Sequence, residues 1–317
     1  MERKIISAAA LATAALALAL LACGDETPPA DGGGPRTPTY AGEWGREGAG
    51  NGEFNGPCGV ATAADGTAYV VDAGNFRVQY FTAAGSFRGK WGRQGDGNGE
   101  FAEAVAAAVA PNGRVYVVDE GLNRVQYFTA AGSFLGKWGA AGAGDGEFDH
   151  PNGVAVAPDG TVYVADAGNR RVQYFTPNGS FAGKWGRAGS GDGEFTEASR
   201  VAAAPNGDVY VLDRYRLVVQ FFTADGSYRG RWGEYGAGAG EWAAPTDLAA
   251  GPAGNVFVVD AMNSRVQYFT PAGSYVGGWG AIGDGPGQFK FPCAVGVSAG
   301  GRVYVGDTGN HRIQYFE

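Results

Sequence analysis

The chain has 317 residues, of which 57 are glycine, and a formal net charge of −8 at pH 7. Because the glycines follow no Gly-X-Y period, the composition excludes a collagen-like triple helix. The acidic balance disfavours sequence-independent binding of nucleic acid, which requires Lys and Arg to neutralise phosphates. Nucleic acid is therefore not an expected partner.

Residues 1–22 predict an export signal. Arg3 and Lys4 precede an apolar run that ends at Ala22, and Cys23 follows directly. A charged start, a short apolar core and a small residue before the cleavage point are typical of a secretory signal. The Leu-Leu-Ala-Cys sequence resembles a bacterial lipobox, which implies lipidation of Cys23 and a lipid-anchored location in the cell envelope, periplasmic or at the cell surface. Plain secretion and a retained membrane anchor remain alternatives.

Residues 23–38 predict a flexible tether, because a segment rich in Pro, Gly, Asp and Thr cannot bury enough apolar surface to fold. The rest of the chain, residues 39–317, repeats every 47 residues without an insertion. Self-similarity at such a period predicts a repeat architecture. The recurring aspartates are Asp72, Asp119, Asp166, Asp213, Asp260 and Asp307. The recurring tryptophans are Trp44, Trp91, Trp138, Trp185, Trp232 and Trp279.

Each repeat contains four short β-rich runs separated by turn residues, as in residues 146–186. Asp-Gly and Asn-Gly between apolar runs are strong hairpin signals, so each repeat predicts a four-stranded meander. The inner strands are apolar on both faces and need neighbours on both sides. Radial stacking of such units makes a β-propeller. We therefore predict an all-β fold, a six-bladed β-propeller with four antiparallel strands per blade.

The ends of the repeat region predict how the ring closes. The last repeat stops after its third strand, and the segment from Thr39 to Gly45 aligns with the missing fourth strand. We expect the N-terminal strand to complete the last blade, which would pair the two open sheet edges.

Three motifs resemble the NHL-repeat family: Pro-x-Gly-Val-Ala-Val at 151–156, Val-Tyr-Val-x-Asp at 162–166, and Asp-x-Gly-Asn-x-Arg-Val-Gln at 166–173. The resemblance covers about residues 39–317. It implies a propeller that binds on its top face, formed by the loops between blades and the turns between second and third strands. The family includes sensor domains, RNA- and protein-binding propellers and a peptide-amidating lyase, so the resemblance does not fix one activity.

Blade four departs most from the repeat on the top face. Its turn reads Asp213-Arg214-Tyr215-Arg216, which lacks the repeat Asn and Arg. One interpretation is a site for an anionic or planar group, since Arg binds carboxylate or phosphate through a bidentate fork. The other is structural: Arg216 replaces the repeat Arg, and Arg200 pairs with Asp247. The candidate ligand-binding residues are Arg200, Arg214, Tyr215, Arg216, Asp247, Asn152, Ser199 and Thr246.

The position after the first-strand proline predicts a ring of mixed small and polar residues at the channel mouth. The ring is Cys58, Val105, Asn152, Ser199, Thr246 and Cys293. Cys58 and Cys293 belong to the first and last blades, which are neighbours in a closed propeller. An exported protein permits a disulfide between them, and a pair of free thiols is the alternative.

Catalytic signatures are weak. The chain has only two histidines, His150 and His311, in blades expected to face each other across the ring. Residues 96–100 offer oxygen ligands of the kind calcium prefers but lack the 12-residue EF-hand frame. We expect no catalytic residue, no metal and no cofactor. A lactonase-like carboxylate–metal site, as in other six-bladed propellers, would use three residues: Asp247, Asn152 and Glu197.

These observations predict a non-catalytic binding or sensing scaffold, acting as a monomer, whose top face takes a protein, peptide or glycan. The alternative is a metal-dependent enzyme of lactonase or lyase type that uses the propeller channel.

Overall fold

The structure is a computed structural model that describes residues 37–317. The predicted export signal, the lipidation of Cys23 and almost all of the predicted tether lie outside the described residues. Between residues 37 and 317, no helix combines the length and apolar character needed to cross a membrane.

The described chain forms six four-stranded antiparallel sheets arranged as the blades of a propeller, which confirms the predicted fold. The strands of the first half are β1 (Tyr40–Trp44), β2 (Pro57–Thr62), β3 (Ala68–Asp72), β4 (Arg77–Phe81), β5 (Phe87–Trp91), β6 (Ala104–Val109), β7 (Val115–Asp119), β8 (Arg124–Phe128), β9 (Phe134–Trp138), β10 (Pro151–Val156), β11 (Val162–Asp166), β12 (Arg171–Phe175) and β13 (Phe181–Trp185).

The second half repeats the pattern and adds one short parallel pair, β18 with β19, in the loop between blades four and five. Its strands are β14 (Ala198–Ala203), β15 (Val209–Asp213), β16 (Val218–Phe222), β17 (Tyr228–Trp232), β18 (Glu234–Tyr235), β19 (Glu241–Trp242), β20 (Pro245–Ala250), β21 (Val256–Asp260), β22 (Arg265–Phe269), β23 (Tyr275–Trp279), β24 (Ala294–Val297), β25 (Val303–Asp307) and β26 (Arg312–Phe316). Single 3-10 turns lie at Ala73–Asn75, Glu120–Leu122 and Thr308–Asn310.

The hydrophobic core is divided among the six junctions between blades. In each blade the second strand is buried along its whole length. Both of its faces carry mainly Val, Tyr or Ala side chains, and each face meets a neighbouring blade. At the junction of blades one and six, Phe54 and Val60 pack with Tyr304 and Ile313. The buried tyrosines also hold neighbouring blades together, as when the hydroxyl of Tyr69 donates to the carbonyl of Ala130 at 3.0 Å.

The N-terminal strand completes the sixth blade, as the sequence predicts. Strand β1 pairs antiparallel with β26, so that Trp44 lies opposite Ile313. The amide of Thr39 donates to the carbonyl of Glu317 at 2.7 Å, and the amide of Glu317 donates back at 2.9 Å. The blade at which the two ends of the propeller meet thus has the same four strands as the others.

A bulge near the start of the innermost strand decides which side chains reach the channel. In β14 the pairing passes from Ala198 to Arg200, and in β20 it passes from Pro245 to Asp247. The skipped residues are Ser199 and Thr246. The bulge therefore sets Arg200 and Asp247 at one matching ladder position on neighbouring blades.

Candidate ligand site at the channel mouth

The recurring Asp and Gln of every blade, joined by an Arg in five blades and an Asn in four, form a largely buried hydrogen-bond network. In blade one, Asp72 accepts from Arg77 Nε at 2.7 Å and from the amide of Asn55 at 2.7 Å. The guanidinium of Arg77 also donates to the carbonyls of Ala49 and Glu53 in the loop that enters the blade. Because all of these groups are used internally, the network holds the loops and offers no ring of free carboxylates.

Arg216 takes over this structural role in blade four. Its Nη1 lies 3.4 Å from the carbonyl of Gly191, 3.3 Å from that of Glu194 and 3.8 Å from Asp213 Oδ2. In blade three, Arg171 contacts the carbonyls at the corresponding positions. The geometry thus agrees with the structural interpretation of Arg216 and leaves that residue little capacity for a ligand.

Arg214 and Tyr215 project from the same turn toward solvent. Arg214 Nη2 lies 3.3 Å from Glu197 Oε1, and the guanidinium carbon stands 5.3 Å from the centre of the Tyr215 ring. The Tyr215 side chain is 71% exposed. An exposed aromatic ring with one stacked cation is a surface suited to contact with a ligand.

Arg200 extends across the channel mouth and links three blades. Its Nη1 donates to Asn152 Oδ1 in blade three, and its Nε donates to the carbonyl of Thr246 in blade five at 3.2 Å. The same Nε lies 3.5 Å from Asp247 Oδ1. Four other blades carry only Gly or Ala at this repeat position, namely Gly59, Ala106, Gly153 and Ala294. The channel mouth is therefore narrowed by one charged pair that the scaffold does not require.

Asp247 is held on its other side by blade six, since its Oδ2 accepts from the amide of Val295 at 2.9 Å. Burial raises the pKa of Asp247 to about 6, against the opposing effect of the Arg200 guanidinium. Desolvation therefore outweighs the ion pair at this carboxylate.

Two other predicted site residues use their hydroxyls in hydrogen bonds to the backbone. Ser199 donates through Oγ to the carbonyl of Leu212 at 3.0 Å, and Thr246 donates through Oγ1 to the carbonyl of Pro292 at 3.2 Å. Asn152, the extra residue of the matching bulge in β10, instead has its side-chain amide at the mouth, in contact with Arg200.

A cavity of about 290 Å³ opens on the top face above blade three, between the turns of blades two and four. We call it the top pocket. It brings together three of the predicted residues, Asn152, Arg214 and Tyr215. Its lining also includes Glu120, His150, Ala167, Gly168, Arg170, Thr196 and Glu197.

Glu120 and His150 are pocket residues that the sequence search did not single out as ligand-binding. The available signal was departure from the repeat, since blades one, three and five have Ala at the position of Glu120. Asn152 Nδ2 lies 3.4 Å from Glu120 Oε2. Burial, followed by the nearby Glu103, raises the pKa of Glu120. A hydrogen bond to Asp149 Oδ1 at 2.7 Å raises the pKa of His150.

The channel below the Arg200–Asp247 pair is narrow and is lined mainly by Gly, Ala and Val residues. Its cavity has a volume of about 170 Å³ and is lined by the innermost strands of all six blades. At the opposite mouth, a cavity of about 320 Å³ is surrounded mainly by Ala, Val and Pro side chains, including Pro111, Pro158, Pro205 and Pro252. The polar groups of the channel are thus concentrated at its top end.

The cysteines at the mouth are unbonded in the structure. Cys58 Sγ lies 3.6 Å from the carbonyl of Val105, and Cys293 Sγ lies 3.5 Å from the carbonyl of Phe291. Burial raises the pKa of the Cys58 thiol to about 12 and also raises that of Cys293. Both groups are therefore protonated thiols at neutral pH.

Residues 37–317 contain no group of three or more His, Cys, Asp or Glu side chains placed to hold a metal ion. Of the three residues considered for a carboxylate–metal site, Asp247 pairs with Arg200 and Glu197 with Arg214. The third, Asn152, accepts from Arg200. Each therefore already has a partner within the protein.

A family model described as NHL repeat matches residues 148–175 and 289–316. No curated protein matches the chain. Among solved structures, a streptogramin B lyase superposes with a TM-score of 0.61 at 11% identity, covering 88% of this chain and 98% of the lyase. A putative gluconolactonase gives 0.63 at 16% identity, with 90% and 93% coverage. A protein of unknown function from Bacteroides thetaiotaomicron gives 0.68 at 16% identity, with 88% and 76% coverage. At these identities the likeness extends to the fold alone.

Proposed function

We propose that this six-bladed β-propeller, two segments of which match the NHL-repeat model, is a non-catalytic binding module whose ligand enters the top pocket. The observation that supports this proposal is where the residues that differ from the repeat pattern lie. Glu120 and Arg214–Tyr215 occupy corresponding turns of blades two and four, and the small residues Ala167 and Gly168 lie between them in blade three.

Glu120 on one side and Arg214–Tyr215 on the other form the two walls of the pocket. Between them, the position of Gly168 does not admit a larger residue. A Cβ at Gly168 would come within 2.4 Å of Asp149 Oδ2 and 2.8 Å of the Asp149 carbonyl. A larger residue therefore cannot enter without displacing the loop. Since the walls and the small blade-three turn make one concave, polar site, the arrangement has the form of a ligand pocket.

A protein or peptide ligand suits the surface beyond the pocket. Met262 is 58% exposed and Phe291 is 49% exposed. They occupy, in blades five and six, the repeat positions that Tyr215 and Glu197 have in blade four. A ligand anchored in the top pocket could extend over these apolar side chains, which would supply the apolar part of the interface.

The enzymatic alternative is a metal-dependent lactonase or lyase that uses the channel, and the names of two similar structures motivate it. The pairing of Asp247 with Arg200 and the contacts of Asn152 and Glu197 weigh against it. Metal analysis of purified protein, with a lactone substrate panel, tests this alternative. Stoichiometric metal that is lost in Asp247→Asn, together with turnover, would favour the enzyme.

The binding proposal is tested by ligand-observed NMR with a panel of peptides and small glycans. We expect some members to bind the wild-type protein and to lose most of their affinity in Arg214→Ala and Tyr215→Ala. Tyr275→Ala is the matched control, because it truncates an exposed tyrosine of strand β23 that takes no part in the top pocket. Equal loss in all three variants, or binding unaffected by any of them, would place the ligand elsewhere.

Export and lipid anchoring at Cys23 complete the proposal and rest on the sequence of the first 23 residues. Metabolic labelling with a fatty acid in a bacterial host checks it. Label should be incorporated into the wild-type chain and be absent from Cys23→Ser.

A further inference from the structure

We propose that the top pocket selects ligands carrying a positively charged nitrogen, an ammonium or guanidinium group such as a lysine or arginine side chain presents, and that Glu120 receives it. This inference rests on the proposed function, since it names the ligand chemistry of the same pocket. It also reverses the polarity that the arginines of blade four suggest in the sequence.

Glu120 is the one pocket carboxylate without a close partner of opposite charge. Within residues 37–317 no cationic side chain lies within ion-pair distance of it, and Oε1 accepts no hydrogen bond. Its single hydrogen bond, from Asn152 Nδ2 to Oε2, is long at 3.4 Å. A half-buried carboxylate in this state is under-compensated, because it has lost water without gaining donors.

The cations around Glu120 are already committed to other acceptors. Arg200 contacts Asn152 and Asp247. Arg214 pairs with Glu197 at 3.3 Å. An incoming cation would therefore meet Glu120 without having to break an existing ion pair.

The two other basic side chains of the pocket, those of His150 and Arg170, also have acceptors within the protein. His150 pairs with Asp149 at 2.7 Å, and Arg170 Nε donates to the carbonyl of Thr196 at 3.2 Å. Glu103, at the entry to blade two, adds further negative potential, since it acts to raise the pKa of both Glu120 and His150. Arg200, His150 and Arg214 act to lower the pKa of Glu120, each by less than Glu103 raises it.

The side-chain amide of Asn152 is held in an orientation that directs a donor, not an acceptor, to the Glu120 carboxylate. Its Oδ1 accepts from Arg200 Nη1, so its Nδ2 is the atom directed to Glu120. The channel-mouth pair thus fixes the amide that in turn positions the carboxylate. On the other side of the pocket, the exposed Tyr215 ring can cover the alkyl chain of a lysine or arginine, or the cation itself.

The test compares two probes that differ in charge but not in shape, N-acetyl-arginine amide and N-acetyl-citrulline amide. Affinities are measured by ligand-observed NMR on the full mature protein. We expect the arginine probe to bind roughly tenfold more tightly than the citrulline probe, because one charge-assisted contact is lost in the neutral probe. Glu120→Gln should abolish this preference while retaining the shape of the side chain.

Asp96→Asn is the matched control, because Asp96 is an exposed loop carboxylate of the same blade that takes no part in the top pocket. Thermal melting shows that each variant is folded. An arginine-to-citrulline ratio that stays unchanged in Glu120→Gln overturns the inference, as does a wild-type protein that binds the two probes equally or binds neither.

These outcomes separate the inference from the proposed function. If both probes bind equally and Tyr215→Ala weakens both, the pocket is the ligand site and only its cation preference is refuted. If neither probe binds, the cation preference is again refuted, and the pocket itself is judged by the peptide and glycan panel, which includes neutral and acidic members.

Discussion

Arg200 and Asp247 lie one repeat apart on neighbouring blades and face each other across the channel mouth, with Nε 3.5 Å from Oδ1. Their side chains are 13% and 15% exposed, so the pair is largely withdrawn from water. The cost of desolvating two charges is offset by their attraction only when each has further hydrogen bonds, which Asn152 and the amide of Val295 supply here.

The first prediction concerns the energetic coupling of this pair. Arg200→Ala should lower the free energy of unfolding by about 3 kcal/mol, because it leaves Asp247 buried without a counter-charge. The double variant Arg200→Ala/Asp247→Ala should recover most of that loss, since Gly or Ala occupies this position in the other four blades. Urea unfolding of the four proteins in a double-mutant cycle measures the coupling. Additive losses would show that the two residues do not interact.

The second prediction is the pH dependence that Asp247 imposes. Its pKa is about 6 in the folded protein, above the ordinary value of 3.8, so the folded state binds this proton more tightly. Stability should therefore be greatest below pH 4 for this group and fall as the pH rises to about 6, by at most about 3 kcal/mol.

Asp247→Asn isolates that contribution, because an amide does not titrate. The stability of the wild-type protein relative to Asp247→Asn should decline between pH 4 and pH 6 and then level off. A relative stability that increases over the same interval would mean that the ion pair with Arg200 prevails over burial.

The third prediction distinguishes two neighbouring arginines of blade four. Arg216→Ala should lower the free energy of unfolding by about 1–3 kcal/mol, because the carbonyls of Gly191 and Glu194 each lose one donor and the buried Asp213 loses its cationic partner. Arg214→Ala should change stability by less than about 1 kcal/mol, since its pair with Glu197 is partly exposed. Ligand binding should respond in the opposite way, weakened by Arg214→Ala and retained in Arg216→Ala. The comparison uses urea unfolding alongside NMR titration.

The fourth prediction concerns the thiols at the channel mouth. With the pKa of Cys58 at about 12, iodoacetamide should label this residue in the native protein at least about a hundredfold more slowly than an ordinary exposed cysteine. After unfolding without reductant, both Cys58 and Cys293 should be labelled, because no bond joins them. Peptide mass mapping measures both. Labels that appear only after reduction would reveal a disulfide.

The sequence was sufficient to predict the blade count, the strand pattern and the closing strand, because each follows from a 47-residue spacing that has no insertion from Trp44 onward. One of its two interpretations of blade four also pairs Arg200 with Asp247, and both put Arg214 and Tyr215 on the top face. These residues were identifiable because they replace a repeating residue with a different chemistry.

Hydrogen bonds within the protein decide which of the predicted mouth residues have free polar groups. Ser199 and Thr246 are predicted to line the mouth, and in the structure their hydroxyls donate to backbone carbonyls. Bulges shift the alternation of side chains by one residue and leave no clear signature in a single sequence. Glu120 was overlooked because its importance depends on which neighbouring cations are already paired, and that is decided by three-dimensional distances.

The exchange of hydrogen bonds between Thr39 and Glu317 joins residues 278 positions apart. During synthesis on the ribosome, the sixth blade therefore cannot form until the whole propeller sequence has emerged. A nascent chain with five blades exposes an apolar face at each end, the kind of surface that chaperones bind and that aggregates when left uncovered. Closure of the propeller also brings together the two segments that are farthest apart in the sequence. We therefore expect this final step of folding to be slow compared with the formation of each hairpin.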